Sequence, residues 1–254
     1  RPEWMQLSIK SVLNQTFRNF ELIIINDAST NNIEQHILTF LNSDVRIRYY
    51  KNIENLGLTA TLNKGLSYAK GEYIARIDDD DVWCDQDKLL KQVEFMHNNP
   101  DCGLLWTGVI YIDEDDNEIC RILNRSTDED IRNSLLQSNQ FVHSSVIMRY
   151  SILNKIWSYR DLRITKYSED YDLWLRIWQH AKFHNFPYFS TKYRVRSWSI
   201  SGRKGFMQQV NAFRIFFANV KFYPNKLKGF IAHIITTFFP KSIVNYLVAL
   251  NKRL

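Results

Sequence analysis

The spacing of apolar residues alternates between the helical and the extended period along the first half of the chain. Residues 4–13 are apolar at helical spacing, whereas residues 20–25 form a nearly continuous apolar run of strand length, as a buried parallel strand requires. The alternation continues with helices predicted at 33–41, 58–69 and 88–97 and strands at 45–50, 72–77 and 103–112. This pattern predicts an α/β fold with a doubly wound, mostly parallel sheet, right-handed crossovers and flanking helices.

The second half is less regular, and its last part is aromatic and basic. Residues 144–148 predict a short strand and residues 171–180 an amphipathic helix. After Gly202, helical patterns cover 205–222, 226–238 and 241–252, with breaks at Pro224 and Pro240. We therefore predict a main α/β domain over residues 1–202 and a basic, aromatic helical extension over residues 203–254.

Charge is distributed unevenly. The last acidic residue is Asp172, so residues 173–254 carry 14 Lys and Arg and no acid, while residues 1–172 have 19 bases against 27 acids, a net charge of −8. This asymmetry predicts an anionic partner for the C-terminal part, either a membrane surface or a nucleic acid. The bases are interspersed with aromatic residues and match no nucleic-acid-binding module, so we expect a membrane surface and no nucleic acid.

The remaining composition narrows the class of protein. The chain is 45% hydrophobic and 24% charged, which is typical of a soluble globular protein. Its three cysteines form no CxxC pair, which argues against a disulfide framework or a zinc site and favours a reducing compartment. No apolar run approaches the roughly 20 residues that a membrane-spanning helix needs.

Four consecutive aspartates, Asp78 to Asp81, follow the predicted strand at 72–77. The C-terminal end of a strand is where open α/β sheets bind ligands. Clustered carboxylates repel one another and are costly to bury without a compensating charge, and oxygen ligands suit Mg²⁺ or Mn²⁺. The alternative is a solvated acidic turn. The preceding strand and the patterned helix that follows favour a metal and phosphate site.

Three further candidates lie in the same half of the chain, and each has a structural alternative. Asp27 follows the strand at 20–25 and is suited either to contact a nucleobase or sugar or to cap the next helix. Asn63 lies in an Asn-Lys-Gly segment that also suits helix punctuation. Arg76 is two residues before the aspartate run, so it either pairs with a carboxylate or faces a phosphate.

Adjacent acids, Glu169 and Asp170, begin the predicted helix at 171–180. Acidic residues at a helix N-terminus are favoured by the unsatisfied N–H groups and by the helix dipole, so capping alone accounts for them. The functional alternative is that one of them is a general base.

Taken together, these segments resemble a family 2 glycosyltransferase, most closely the bacterial members that build surface polysaccharides. The resemblance spans roughly residues 4–200, and the order and spacing of its motifs make it specific. Its motifs are SVLNQTF (11–17), FELIIINDAST (20–30), NLG (55–57), NKG (63–65), GEYIARIDDDD (71–81), HSSVIMR (143–149) and EDYDLWLR (169–176).

The resemblance implies a GT-A fold, inverting transfer from a nucleotide-activated sugar, and a DxD motif on Asp78 and Asp80. By this carry-over Asp80 ligates the Mn²⁺ or Mg²⁺ ion that holds the diphosphate, and Asp78 lies near the ribose or the metal. The unbroken run leaves the frame open, so Asp79 and Asp81 stay alternatives, with Asp79 assigned to nucleotide-sugar binding. The following matched residues complete the implied site: Asp27 and Asn63 with Arg76 for the nucleotide sugar, and Asp170 as catalytic base.

The chain also departs from the family pattern. It is expected to begin just after the family's usual first strand, at Arg1. Arg196 stands where relatives often have His; Arg does not coordinate a metal ion but neutralises a diphosphate. We expect His143, Glu169 and Arg196 on the acceptor or diphosphate side, with a buried structural histidine as the alternative for His143.

The expected activity is metal-dependent transfer of a sugar from a nucleotide sugar, with a UDP-sugar as the expected donor, to a hydroxyl of a lipid-linked glycan acceptor in lipopolysaccharide or capsule synthesis. The expected location is cytoplasmic, peripheral on the inner face of the cytoplasmic membrane. The alternative is an inactive or regulatory membrane-associated module that retains the GT-A fold.

Overall fold

The computed structural model describes residues 1–30, 33–161, 165–196, 205–223 and 225–238. Helices and strands alternate through the first half, as the apolar spacing predicts. The elements in chain order are α1 (Pro2–Leu13), β1 (Leu22–Asn26), α2 (Ile33–Leu41), β2 (Ile47–Lys51), α3 (Leu58–Tyr68), β3 (Tyr73–Ala75), β4 (Val82–Trp83), α4 (Lys88–Asn98), β5 (Cys102–Ile112), β6 (Glu118–Ile122), α5 (Asp128–Leu135), a 3-10 turn (His143–Ser145), β7 (Ile147–Arg149), α6 (Tyr150–Lys155), α7 (Glu169–Ile177), β8 (Lys182–Arg194), α8 (Gly205–Asn219), a second 3-10 turn (Val220–Phe222) and α9 (Lys226–Phe238).

The strands form two hydrogen-bonded groups. β1 and β2 pair in parallel, and the other strands form a six-stranded sheet in the order β3-β7-β5-β8-β4, with β6 also paired to β5. The α/β class with flanking helices is as predicted, but the expectation of a mostly parallel sheet is wrong for the larger group. Among the described residues of that group, only β5 and β8 pair in parallel, and the other four pairings are antiparallel. The short loop between β5 and β6 enforces one antiparallel pair, because parallel neighbours need a long crossover.

The long strand β8 is absent from the sequence prediction. Pro187 interrupts its pattern and cannot donate a ladder hydrogen bond, which argues against a central strand. The structure accommodates the proline at an irregularity: Thr107 of β5 lies opposite Phe186, whereas the next residue, Gly108, lies opposite Phe189. β8 therefore skips past Pro187 and continues beside β5.

The main core lies between the six-stranded sheet and the helices α5, α6, α7 and α8. Trp106 on β5 and Trp174 on α7 are both fully buried at its centre. All residues of α7 except Asp170 are buried, so this helix is fixed on every side. Asp170 is thereby held on a rigid element.

A cavity of about 1100 Å³ separates the two groups of strands. All five residues of β1 and all three of β3 line it, together with apolar residues of α1 such as Met5 and Ile9. Within the described residues, each of these two strands pairs with one neighbour only.

The helical extension agrees with its prediction where it is described. α8, the turn after it and α9 coincide with the patterns at 205–222 and 226–238. The predicted helix at 241–252 and the predicted boundary at residues 202 and 203 lie outside the described residues, so the division into two domains stays a prediction.

None of the helices in the described ranges is both long enough and apolar enough to cross a lipid bilayer.

Candidate active site

A second cavity, of about 850 Å³, lies at the end of β3 where the aspartate run begins. It brings together nine of the ten residues predicted from the sequence, which come from loops after β1 and β3, the first 3-10 turn, α7 and the segment after β8. These lining residues are Asp27, Arg76, Asp78, Asp79, Asp80, His143, Glu169, Asp170 and Arg196.

Asn63 is the exception. Its side-chain amide donates to the backbone carbonyl of Tyr159 (2.8 Å) and accepts from the backbone N–H of the same residue (3.0 Å). Both ends of the amide are therefore used to fasten α3 to the loop after α6. The structure gives Asn63 a structural role outside the lining of this cavity, and its assignment to nucleotide-sugar binding stays a prediction.

Asp78 is oriented by contacts on three sides. Its backbone N–H donates to the Ser144 hydroxyl (3.0 Å), and that hydroxyl donates to the Asp78 carboxylate (3.2 Å). Arg76 forms a two-pronged ion pair with both carboxylate oxygens, through Nη1 to Oδ2 at 2.8 Å and through Nη2 to Oδ1. Arg76 thus pairs with a carboxylate, one of its two alternatives, and it also lines the cavity.

Asp80 and Asp81 are both buried, and their charges are incompletely compensated. Burial, followed by repulsion from Asp78, raises the pKa of Asp80 to about 6, although Nε of Arg196 lies 2.8 Å from its Oδ2. Burial also raises the pKa of Asp81 well above its usual range, and the charges of Asp78 and Asp80 add to the shift. The Asp81 Oδ1 atom accepts from the backbone N–H of Arg194 (2.8 Å), whereas Oδ2 accepts no hydrogen bond from the described part of the chain.

A divalent cation fits this cluster. Asp78, Asp80 and Asp81 each present one carboxylate oxygen, and these oxygens all lie within 4.8 Å of one another. Hard oxygen ligands of this kind suit Mg²⁺ or Mn²⁺. A bound cation would also satisfy the buried Asp81 oxygen and offset the repulsion within the cluster. Asp79 is exposed and lies outside the group.

Asp27 organises the turn before α3. Its carboxylate accepts hydrogen bonds from the Asn52 side chain (2.8 Å) and from the backbone N–H groups of Leu56 (2.8 Å) and Gly57 (2.9 Å). Partial burial opposes ionisation, but these donors outweigh it and lower the pKa of Asp27. Gly57 has φ +84°, a backbone conformation that favours glycine. The Asp27 carboxylate therefore anchors a turn whose conformation itself favours glycine at position 57. Asp27 therefore holds this turn and lines the cavity.

The carboxylate of Asp170 is held by two donors. The backbone N–H of Tyr171 donates to Oδ1 (2.7 Å), and the Asn139 side chain donates to Oδ2 (2.8 Å). Although Asp170 is only partly buried, loss of solvent around its carboxylate nevertheless raises its pKa. Next to it, burial and then the Asp170 charge raise the pKa of Glu169 to about 7. The cavity thus contains two adjacent carboxyl groups whose pKa values are both raised, a property suited to general acid–base chemistry.

His143 is buried under the cavity. Its Nε2 contacts the Tyr159 hydroxyl, and its ring packs edge-on against Trp174 at 5.4 Å between centroids. Burial and then the Arg76 charge hold the pKa of His143 well below its usual range. A neutral, packed imidazole matches the structural alternative for this residue, although His143 still lines the cavity.

Three residues that contribute to the site have no assigned role in the sequence prediction. Ser144 lies in the HSSVIMR motif directly after His143, and Arg194 is two residues before Arg196, so proximity to these predicted residues is a usable signal. Asn139 lies in a segment without a recognised motif, and only the fold brings it to Asp170.

The comparisons with known proteins identify the family to which this fold and this cavity belong. The model of glycosyl transferase family 2 matches residues 1–157. The chain belongs to this family.

Curated relatives include further glycosyltransferases, one of them named for O-antigen biosynthesis. The chain is 35% identical over 193 residues to the putative glycosyltransferase EpsE of Bacillus subtilis, covering 74% of the chain and 66% of EpsE. It is 34% identical over 176 residues to the O-antigen biosynthesis glycosyltransferase WbnJ of Escherichia coli, covering 69% of the chain and 66% of WbnJ. The chain therefore spans just under two thirds of the length of both proteins.

Solved structures confirm the GT-A fold. The mannosyltransferase PcManGT of Pyrobaculum calidifontis, in complex with GDP-Man and Mn²⁺, matches 93% of this chain and 66% of its own, with a TM-score of 0.68 and 14% identity. TarS of S. aureus, residues 1–349 in complex with UDP-GlcNAc, matches 93% of this chain and 70% of its own, with a TM-score of 0.71 and 15% identity.

Proposed function

We propose that this chain is an inverting, metal-dependent glycosyltransferase that moves a sugar from a nucleotide-sugar donor to a hydroxyl of a glycan acceptor in surface polysaccharide synthesis. One observation carries the proposal: a single cavity contains carboxylates of the cluster that could hold a divalent cation and, separately, the carboxyl pair Glu169 and Asp170. The first suits a diphosphate leaving group, and the second suits deprotonation of an attacking hydroxyl.

The donor side is built on Asp78, Asp80 and Asp81, which would hold Mn²⁺ or Mg²⁺. When bound, the ion neutralises negative charge on the nucleoside diphosphate as it leaves. Arg196 is within ion-pair distance of Asp80, so its guanidinium can turn from that carboxylate to the diphosphate. Arg76 stays with Asp78 and keeps this carboxylate in one orientation.

Asp27 and Asp79 are assigned to the nucleoside. Asp27 lines the cavity with a carboxylate that its donors orient, and its Oδ2 accepts from the backbone N–H of Gly57. The oxygen can therefore accept a further hydrogen bond from a nucleobase N–H. Asp79 is exposed at the cavity, where it can accept from a ribose or sugar hydroxyl.

Asp170 is assigned as the general base. Asn139 and the Tyr171 N–H each occupy one lone pair of its carboxylate and leave others for the acceptor. The acceptor hydroxyl transfers its proton to Asp170 while its oxygen bonds to the anomeric carbon, and the bond from that carbon to the diphosphate oxygen breaks. Glu169, protonated in part near neutral pH, can donate a hydrogen bond to the acceptor.

A UDP-sugar is the proposed donor and a lipid-linked glycan the proposed acceptor. Of the two solved relatives above, the one with the higher TM-score binds UDP-GlcNAc, whereas the other binds GDP-Man. Kinship with an O-antigen enzyme supports a glycan acceptor. We place the reaction on the cytoplasmic face of the membrane, in keeping with three free thiols, Cys84, Cys102 and Cys120.

The test measures nucleoside diphosphate release from a panel of UDP- and GDP-sugars, with lipid extract as acceptor source, with and without Mn²⁺. The proposal predicts release from one donor that requires Mn²⁺ and rises when extract is added. Donor binding without release by the parent under any of these conditions would overturn the proposal in favour of an inactive module that retains the fold.

A further inference from the structure

The C-terminal helices expose an apolar surface that their packing does not use. Phe206, Phe213 and Phe217 recur along α8 at intervals of seven and four residues, which places them on one side of the helix. Phe206 is 67% exposed and Phe217 is 54% exposed. On α9, Leu227 is 70% exposed and Ile231 is 47% exposed.

The exposed apolar residues of α8 and those of α9 form one continuous surface. Phe230 of α9 contacts Phe213 and Phe217 of α8, each at 6.1 Å between ring centroids, and the two α8 rings lie 4.9 Å apart. We call the surface formed by Phe206, Phe213, Phe217, Leu227, Phe230 and Ile231 the aromatic face.

The aromatic face is distinct from the side of α8 and α9 that packs against the main core. Ile215 and Phe216 of α8 are fully buried and belong to the main core, and Nε2 of His233 on α9 donates to the backbone carbonyl of Leu136 at the C-terminal end of α5. A helix that packs on one side normally presents polar residues on the other. Large aromatic side chains on that second side therefore indicate a surface that something else covers.

The positive charge around the aromatic face favours an anionic binding partner. Arg214, Lys221, Lys226 and Lys228 are all exposed on the same two helices and the turn between them, and the sequence has no acid after Asp172. A second copy would bring two positive faces together, which is unfavourable. Helices that combine aromatic side chains with Lys and Arg bind in the interface of an anionic membrane, where apolar burial and attraction to lipid headgroups act together.

The aromatic face lies beside the candidate active site. Gln208, two residues after Phe206, lines the cavity that contains Asp170. The backbone carbonyl of Gln208 accepts from the Ser168 hydroxyl (3.3 Å), and Asn211 donates to the carbonyl of Lys166 (2.7 Å). The start of α8 is thus tied to the segment that leads into α7.

We propose that the aromatic face docks on an anionic lipid bilayer and presents the open side of the cavity to acceptors carried in that bilayer. The docking itself does not depend on catalysis; only its purpose rests on the proposed function.

Sedimentation of the full chain with vesicles tests the docking. The probes are phosphatidylcholine vesicles with phosphatidylglycerol and vesicles of phosphatidylcholine alone. The parent should bind the first kind, less at high salt, and the second kind weakly. The double variant Phe206→Ser, Leu227→Ser, which alters only strongly exposed side chains, should lose about tenfold or more in vesicle binding. The matched control is Val45→Ser, Ile53→Ser, two exposed apolar residues outside both helices, which should bind like the parent.

Two outcomes would overturn the proposal. One is equal vesicle binding by the parent, the double variant and the control. The other is absence of parent binding together with a dimer in sedimentation velocity that the double variant abolishes, because the covering partner would then be a second copy. Donor turnover is not measured here, so failure of docking leaves the proposed reaction standing, and failure of the reaction leaves docking standing.

Discussion

At the scale of single residues, the carboxylates of the active-site cavity differ in the groups that stabilise their negative charge. Asp78 has Arg76, Asp80 has Arg196, and Asp170 has two neutral hydrogen-bond donors. A carboxylate held by neutral donors keeps its orientation without losing all its basicity to a neighbouring cation. This difference separates the proposed base from the proposed metal ligands.

Replacement of Asp170 by Asn should reduce turnover by about 10²-fold or more while leaving donor affinity unchanged, because the amide cannot accept the acceptor proton. Initial rates and donor titration of the same preparation measure the two effects. Glu169→Gln is the matched control and should retain more activity. Comparable turnover by Asp170→Asn and the parent would remove Asp170 from the mechanism.

The raised pKa of Glu169 also predicts a pH dependence of stability. Because its folded pKa of about 7 lies above the unfolded value of 4.5, the folded protein binds more protons between these values and its free energy of unfolding falls as pH rises through this window. Across this window, the titration of Glu169 should lower the free energy of unfolding by an amount on the order of 1–3 kcal/mol. Urea denaturation between pH 4.5 and 7.5 should show a smaller fall for Glu169→Gln. Parallel curves for the two proteins would contradict the assignment.

At the scale of elements, α7 is fixed by a buried ion pair as well as by packing. Arg176 donates from Nε to Asp172 (2.8 Å) and from its two terminal nitrogens to the carbonyls of Ile156 and Ser158 (2.7 Å each). The guanidinium therefore joins α7 to the turn after α6, and α7 positions Glu169 and Asp170 at its N-terminus.

Replacement of Arg176 by Met should lower the free energy of unfolding by about 3–5 kcal/mol, because it leaves the Asp172 carboxylate buried without its nearest cation. Adding Asp172→Asn should restore part of this loss. Arg121→Met removes an exposed ion pair with Glu118 and should cost under about 1 kcal/mol. Equal losses in the buried and the exposed variant, measured by chemical denaturation, would contradict this account of α7.

Local sequence patterns predict elements better than they predict pairing. The helical and extended periods locate α1 to α4, β1 to β3 and β5, because each buries one side or both. Strand direction in the larger sheet depends on connections that no local pattern encodes, and Pro187 conceals β8. The same limit explains the site: motif residues are found, whereas Asn139 meets Asp170 only through the fold, and Asn63 turns away to Tyr159.

At the scale of the whole molecule, the fold brings two sets of carboxyl groups, to which we assign different functions, to one cavity and sets a basic, aromatic face beside it. The acidic side chains lie in the first 172 residues and the unopposed bases follow. The cation and the negatively charged donor would thus bind the first part of the chain, and an anionic membrane surface would bind its basic C-terminal part.

The central claim is that Asp78, Asp80 and Asp81 hold the cation through which a nucleotide sugar binds. Thermal unfolding of the parent with each of a panel of nucleotide sugars, with and without Mn²⁺, tests it most directly. A donor at 100 times its Kd should stabilise the parent by about 2.7 kcal/mol only when Mn²⁺ is present. Asp80→Asn and Asp81→Asn should lose this stabilisation, while Asp79→Asn, at the exposed position outside the cluster, should keep the Mn²⁺ dependence. Stabilisation that is independent of Mn²⁺, or that survives unchanged in Asp80→Asn and Asp81→Asn, would contradict the account.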